Sequence, residues 1–183
     1  MPDRHDTPSD EELLDAFIKG DDGALGLLAE RFEPRLLGLC RGLCGNDHSL
    51  AGEAMQETWM RVIRYADRFD RRSTFATWVY RIAVNRCRDI NRRERRQRTK
   101  IESLANSSES RGLPPDSDLA DQLAAPLASL TERDREVVLL CHHRGMTHEQ
   151  AAAVLAMPVG TLKTRLYRSM RALHAALTTG VSP

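Results

Sequence analysis

The tightest constraint on the fold lies at residues 147–177. Thr147 followed by Gln150 has the form of a capping box opening the segment "HEQAAAVLA". "MPVG" supplies a turn, and "TLKTRLYRSMRALHAAL" follows. At about 100° per residue, Leu162, Leu166, Met170, Leu173 and Leu177 form one stripe. Thr164, Arg168 and Arg171 lie opposite, with Lys163 and Arg165 on the flanks. A short helix, a tight turn and a longer basic helix make a helix-turn-helix. The apolar stripe packs, and the opposite face is free to enter a major groove.

The rest of the chain repeats the helical period. "DEELLDAFIKG" starts with Ser9 or Asp10 as its cap and ends at Gly20. "DGALGLLAERFEPRLLGLCRGLCG" follows, with Pro34 marking a break or a first turn. "NDHSLAGEAMQETWMRVIRYADRF", capped near Asn46 to Ser49, and "STFATWVYRIAVNRCRDINRRERR" read as the third and fourth helices. No stretch alternates as a strand does. Residues 97–117 are rich in Ser, Gly and Pro and read as a linker. Beyond it, a weak helix is interrupted at Pro126, and Thr131 caps "ERDREVVLLCHHR", stopped by Gly145. The expectation is an all-α fold of two small helical domains, residues 1–96 and 118–183, joined by a flexible linker. The C-terminal domain is the helix-turn-helix.

The formal net charge of +1 conceals a strong segregation. Residues 1–60 carry 5 basic and 13 acidic side chains, whereas residues 61–100 carry 14 and 4. Residues 101–136 carry 3 and 8, and residues 137–183 carry 5 and 1. Two basic blocks predict two nucleic-acid surfaces, with acidic segments placed to screen them in the free protein. No apolar run approaches the roughly 20 residues of a membrane span, and the polar N-terminus is no secretory signal. A cytoplasmic protein without membrane insertion is expected.

Cys40, Cys44, Cys87 and Cys141 read as reduced, mostly buried thiols. A zinc site would need Cys40 and Cys44 to meet Cys141, His142 and His143, which this reading places in a different domain, so no metal is expected. There is no phosphate loop, nucleophile motif or carboxylate pair, so neither a cofactor nor an enzyme is expected.

Six of the nine aromatic residues lie between Trp59 and Tyr80. Trp59 shares a helix face with Met55, Val62 and Ile63 and reads as core. Glu53, Gln56, Glu57, Met60 and Arg64 line the opposite face, a mixed-charge surface suited to protein docking. In the next helix Val79, Ile82, Ala83 and Ile90 share one face; Arg81, Asn85, Arg88 and Arg92 share the other. The arginine run continues through Arg93, Arg95 and Arg96. Such a stripe suits phosphate and base-edge contacts. Phe75 and Trp78 border both the apolar face and the loop "DRRST", which leaves core anchoring and base stacking both open.

Three segments together resemble the extracytoplasmic-function group of bacterial sigma factors. They are "DEELLDAFIKGDDGALGLLAERFEPRLLGL", "MQETWMRVIRYADRFDRRSTFATWVYRIAVNRCRD" and "LTERDREVVLLCHHRGMTHEQAAAVLAMPVGTLKTRLYRSMRALHAAL". The resemblance implies a protein that binds core RNA polymerase and directs it to promoters. It implies polymerase docking through residues around "QETWMR": Glu53, Gln56, Glu57, Met60, Arg61 and Arg64. It implies opening of a minus-ten element, with capture of non-template bases, by Arg71, Arg72, Ser73, Thr74, Phe75 and Trp78 and by the outer face Arg81, Asn85, Arg88 and Arg92. It implies duplex reading of a minus-thirty-five element by Pro158, Val159, Gly160, Thr161, Lys163, Thr164, Arg165, Arg168 and Arg171. Many members of the family are held by an anti-sigma factor, which is therefore a candidate partner beside polymerase and promoter DNA. Four positions depart from the family pattern, one of them His148, which replaces the usual aromatic after the turn. Arg86 stands in the apolar face and must snorkel or pair, Gly52 interrupts the docking helix, and Ala156 occupies the turn where glycine is common. The rival reading is a DNA-binding regulator that uses the helix-turn-helix alone, without polymerase.

Overall fold

The structure, a computed structural model, describes residues 7–102 and 125–179. Most of the expected linker, and the start of the weak helix after it, lie outside these residues. Helix α1 (Asp10–Ile18) opens on a capping box in which the Ser9 side chain and the Glu12 carboxylate each take a backbone N–H of the other residue. Gly20, at φ +100°, turns the chain into α2 (Asp22–Leu43), capped by Asp21. Helix α3 (His48–Tyr65) is capped by Asp47 and ends in a short 3-10 turn, Ala66–Arg68. Helix α4 spans Phe75–Glu102. Thr74 caps it, its hydroxyl accepting the Thr77 N–H at 3.2 Å.

In the C-terminal half, Thr131 caps α5 (Glu132–Val138), which runs on into a π-helical turn at Leu139–His143. Helix α6 (His148–Leu155) opens on the expected Thr147–Gln150 box. Ala156 then takes a left-handed backbone (φ 51°, ψ 49°), and α7 (Val159–Thr179) follows. Among the described residues there is no strand, and no helix is long and apolar enough to cross a membrane.

Several expectations change. Pro34 lies inside α2 without ending it. Its ring faces solvent, so the carbonyl it leaves unpaired can reach water, while Leu28, Phe32, Leu36 and Leu39 hold the helix to the core. Helix α4 runs past the expected boundary at residue 96, because Arg, Glu, Gln and Lys are good helix formers whether or not they are buried. On α7 the buried line is Leu162, Ser169 and Leu173 with Leu166 half-buried, whereas Met170 and Leu177 are exposed. On α3, Ile63 is 46% exposed and leaves the Trp59 face. Thr58 takes a core position instead, its hydroxyl satisfied by the Ala54 carbonyl at 2.7 Å.

The two halves share one hydrophobic core. Leu36, Leu39, Leu43, Val79 and Ala83 belong to the same buried cluster as Val137, Leu140, Val154, Leu155 and Leu162. Helix α4 packs on α6, and the end of α2 meets the π turn. There Gly42 lies so close to Leu139 that an added Cβ would stand 2.8 Å from a Leu139 methyl.

Candidate nucleic-acid interface

The loop "DRRSTF" is held from one side by α1. Arg71, at φ 57°, forms an ion pair with Asp15, and its guanidinium holds the Asp15 carboxyl below the usual carboxylate range. Glu11 accepts the backbone N–H of Phe75 at 2.7 Å. A carboxylate therefore sits at the N-terminus of α4, where unpaired N–H groups and the helix dipole favour an anion. Arg72 is exposed and only loosely paired with Asp70 at 3.3 Å; Thr74 is exposed and Ser73 half-buried.

The aromatic question divides. Phe75 is fully buried, with its ring edge-on to Phe32 at 5.2 Å and to Phe69 at 6.4 Å. This corrects its expected place among the base-contacting residues: in this conformation it is core. Trp78 is half-buried, 5.3 Å from Phe69 and 6.0 Å from Phe75, and closes the outer edge of the cluster.

The basic face of α4 is not free either. Arg88 donates to both oxygens of Glu136, Nε at 2.5 Å and Nη2 at 2.7 Å, and Glu136 is only 1% exposed. Arg81 donates to the Ala153 carbonyl at 2.7 Å. Arg95 pairs with Glu132 at 2.8 Å, and Arg93 with Glu53 at 2.6 Å. The acidic start of α5 and the acidic N-terminal segment thus cover much of the basic block, as the charge segregation suggested. Asn85 and Arg92 stay exposed. Asn85 accepts from Arg88 at 3.1 Å, and Arg92 lies 3.7 Å from Asp89. A groove of about 720 Å³ remains between α4 and α5, walled by Arg92, Arg95, Arg96, Lys100 and Arg133. Arg86 solves its placement by pairing, with Asp89 at 2.5 Å and Glu57 at 3.6 Å.

The outer surface of α3 divides in the same way. Glu53 and Glu57 are tied to α4, while Gln56, Met60, Arg61, Ile63 and Arg64 are exposed. Met60 is 61% exposed and adjoins Ile63, an apolar spot that the wheel alone did not supply.

On α7, Thr161, Lys163, Thr164, Arg168 and Arg171 are exposed, as are Pro158 and Gly160 at its start; Val159 is half-buried. The Thr164 hydroxyl donates back to the Gly160 carbonyl at 3.0 Å. Arg171 lies over the Tyr167 ring at 5.9 Å. Arg165 departs from this face and donates to Asp134 at 2.9 Å. Burial works against ionisation of Asp134, but hydrogen bonds from Thr131 and Arg165 outweigh it and hold the carboxyl low.

The cysteine–histidine regions expected to lie in separate domains do approach each other, since Gly42 touches Leu139. Cys40, Cys44 and Cys87 are all buried in one hydrophobic cluster, against which the half-buried Cys141 packs. Among the described residues no group of three His, Cys, Asp or Glu side chains is arranged to hold a metal. Sequence reasoning missed Glu11, Asp15, Glu132 and Glu136 as the groups that engage the basic block. Their signal was the acidic bias of the flanking segments.

Comparison with known proteins agrees with this geometry. Residues 28–97 match Sigma-70 region 2, and residues 120–173 match Sigma-70, region 4. The ECF RNA polymerase sigma factor SigE of Mycolicibacterium smegmatis is 31% identical over 180 residues, covering 92% of this chain and 68% of that protein. The ECF RNA polymerase sigma-E factor of Escherichia coli K12 is 28% identical over 179 residues, covering 90% and 92%. Among solved structures, CnrH in complex with the cytosolic domain of CnrY superposes with a TM-score of 0.74 at 26% identity, covering 96% of this chain and all of that one. The sigma factor RpoE from Bartonella quintana, in complex with the anti-sigma factor NepR, has the same fold, with a TM-score of 0.70 at 24% identity over 86% of this chain and 98% of that one. A helix-turn-helix with a basic outer face, a basic helix behind an acidic clamp and matches to both conserved regions place the chain in the extracytoplasmic-function group of the sigma-70 family.

Proposed function

We propose that this promoter-directing sigma factor divides its work between its two halves. The N-terminal half docks on core RNA polymerase through the exposed part of α3, namely Gln56, Met60, Arg61 and Arg64, with Ile63 extending the apolar centre. The loop of Arg71, Arg72, Ser73 and Thr74 captures melted non-template bases of the minus-ten element, with Trp78 at its edge. Phe75 supports the loop from within the core. The C-terminal half reads the minus-thirty-five duplex through the start of α7, with Lys163, Thr164, Arg168 and Arg171 facing the major groove.

The observation that carries this reading is the coexistence on one chain of two exposed surfaces. One is the basic face of α7; the other is the Met60–Ile63 patch of α3. A regulator using the helix-turn-helix alone has no use for the second. Arg81 and Arg88 are engaged by the C-terminal half, so the minus-ten face becomes available only when the halves separate. Separation on polymerase would present both DNA surfaces at once. Since CnrH and the Bartonella factor were solved with partner proteins, CnrY and NepR, a protein that holds the halves together is a candidate regulator here.

Transcription reconstituted from this chain, core polymerase and a genomic promoter library tests the proposal. Promoter-specific starts absent with core alone are expected; none above core alone would refute it. In the same assay Arg168→Ala should weaken promoter binding and lower the salt slope by about 1, the signature of one lost phosphate contact.

A further inference from the structure

Helix α4 carries Arg92, Arg96 and Lys100 at intervals of four, so their side chains stand one above another on a single ridge. The groove of about 720 Å³ runs between this ridge and α5, which contributes Arg133 to the other wall. Six cationic side chains and two carboxylates line it, an excess of four positive charges. Both carboxylates are already engaged: Glu136 accepts from Arg88 at 2.7 Å, and Glu132 from Arg95 at 2.8 Å.

The other arginines are poorly satisfied. Among the described residues Arg96, which is exposed, has no hydrogen bond or ion pair. Arg92 reaches only Asp89, at 3.7 Å, and Arg133 only Glu136, at 3.5 Å. A smaller hollow of about 370 Å³ shares Arg92, Arg96 and Lys100, so the ridge is open on both flanks. An arginine-rich helix face is most often simply solvated. Here the cations stand on two walls that face each other, and like charges so gathered repel unless an anion lies between them.

We propose that this groove binds a linear polyphosphate, either short inorganic polyphosphate or the triphosphate tail of a nucleotide, and that the bound anion ties the two halves together. Guanidinium groups pair with phosphate oxygens through a planar two-pronged fork. A triphosphate tail carries roughly four negative charges near neutral pH, which matches the excess. The volume lies within the range of about 300–1,000 Å³ usual for small-molecule sites. No aromatic side chain lines the groove, so nothing in it stacks on a base. The phosphates alone are read, and the nucleoside attached to them carries no weight. A duplex would meet the α4 arginines as a row on one open face, whereas Arg133 stands across from that row in the closed form.

Arg133 belongs to the C-terminal half, and Arg92, Arg96 and Lys100 belong to the N-terminal one. An anion held by both favours the closed form, in which Arg81 and Arg88 are covered. This consequence, though not the binding itself, rests on the proposal that the halves separate. A ligand that binds only the closed form, present at a hundred times its Kd, shifts the balance about 100-fold toward that form.

Calorimetric titration of the full chain with sodium tripolyphosphate, and separately with ATP without magnesium, tests the site at an ionic strength of about 0.15 M. One saturable site is expected, with the two affinities equal to within about threefold. Arg96→Glu and Arg133→Ala should each weaken binding by about tenfold or more, the loss of one charge-assisted contact. Arg98→Glu alters the net charge as Arg96→Glu does, on the same helix but outside the groove, and should leave binding unchanged. Both Arg96 and Arg98 are exposed, so neither change touches the core. Tripolyphosphate should also slow hydrogen exchange of the α5 amides in the wild type and not in Arg96→Glu. Absence of saturable binding would overturn the proposal. Equal weakening by Arg98→Glu would do so too, as the mark of general polyanion attraction. ATP binding far more tightly than tripolyphosphate would overturn the reading of phosphates alone, and unchanged α5 exchange at saturation would overturn the tie between the halves. A DNA duplex held through Arg96 and Arg133 that tripolyphosphate fails to displace would give the groove to nucleic acid instead. The titration uses neither polymerase nor promoter, so failure here and failure to initiate transcription are separate results.

Discussion

Replacing Glu136 by Gln should loosen the seam between the halves while leaving each half folded. The Glu136 carboxylate is 1% exposed and accepts from Arg88 at 2.5 and 2.7 Å and from Arg133 at 3.5 Å. Glutamine keeps the volume but turns an N–H₂ group toward the guanidinium and removes the charge. Removing one partner of a buried pair costs about 3–5 kcal/mol. The Arg88 side chain is 19% exposed and keeps its bond to Asn85 at 3.1 Å, so part of that cost is recovered. A shift of about 2–3 kcal/mol in the closed-to-open balance is expected from such a partly relieved pair, roughly 30- to 150-fold in population. Hydrogen exchange of the amides in α5 and the π turn reads this directly, because protection there follows the local opening free energy. Adding Arg88→Ala should recover part of the loss, since the two side chains then no longer conflict. Unchanged exchange in α5 would refute the reasoning. Acceleration spread equally through α1 to α3 would also refute it, because that reports global unfolding rather than a seam.

Three further outcomes follow from the structure. Ala156→Gly should raise the melting temperature by a few degrees, because an L-residue in the left-handed region costs roughly 1–2 kcal/mol, partly offset by the entropy of glycine; an unchanged or lowered melting temperature would contradict the strain. Phe75→Ala should destabilise the N-terminal half by about 3–5 kcal/mol in urea unfolding followed by tryptophan fluorescence, both tryptophans lying in that half, and a loss of DNA opening with stability intact would return Phe75 to the reading surface. The carboxyls of Asp15, Glu53 and Glu132 are held low by their arginine partners, Glu132 against opposing burial. Their contribution is thus fully present above the ordinary carboxylate value of about 4 and is lost as pH falls through the lower folded values, so circular dichroism of the chain in mild urea should show stability falling below about pH 4, and constant or rising stability there would refute the sign.

What was legible in the sequence was local. The Thr147–Gln150 box, the Thr131 cap and the turn at Ala156 each depend on residues within a few positions of one another, and each formed as read; at the first helix Ser9 was one of two caps read, and its box with Glu12 came only with the structure. Arg86 was legible as a conflict to be met by snorkelling or by pairing, although not as one resolved by both Asp89 and Glu57. A helical wheel assigns faces but not what covers them. It could not say that Phe32 and Phe69 would close over Phe75, that Ile63 would stay outside, or that Ser169 would pack where Met170 was expected. The engagement of Arg81 and Arg88 depends on residues 72 and 48 positions away in the chain. The charge blocks announced that such partners existed, but only the fold chose Ala153 and Glu136. The burial of Cys87 in one cluster with Cys40 and Cys44 was illegible for the same reason, since nothing local ties α4 to the end of α2.

The acidic clamp alters what salt does to DNA binding. A phosphate bound by a lysine or arginine releases the cations condensed on it, and affinity falls by a slope of about 0.9 per contact as salt rises. Arg71 and Arg88, however, hold Asp15 and Glu136 in the closed form. A phosphate that takes either arginine frees a carboxylate, which then gathers cations from solution as the DNA sheds its own. The two ion fluxes oppose each other. If the proposed N-terminal surface binds DNA through these arginines, its salt slope will count fewer contacts than the DNA makes, and one anion is exchanged for another rather than the phosphates meeting a bare polycation.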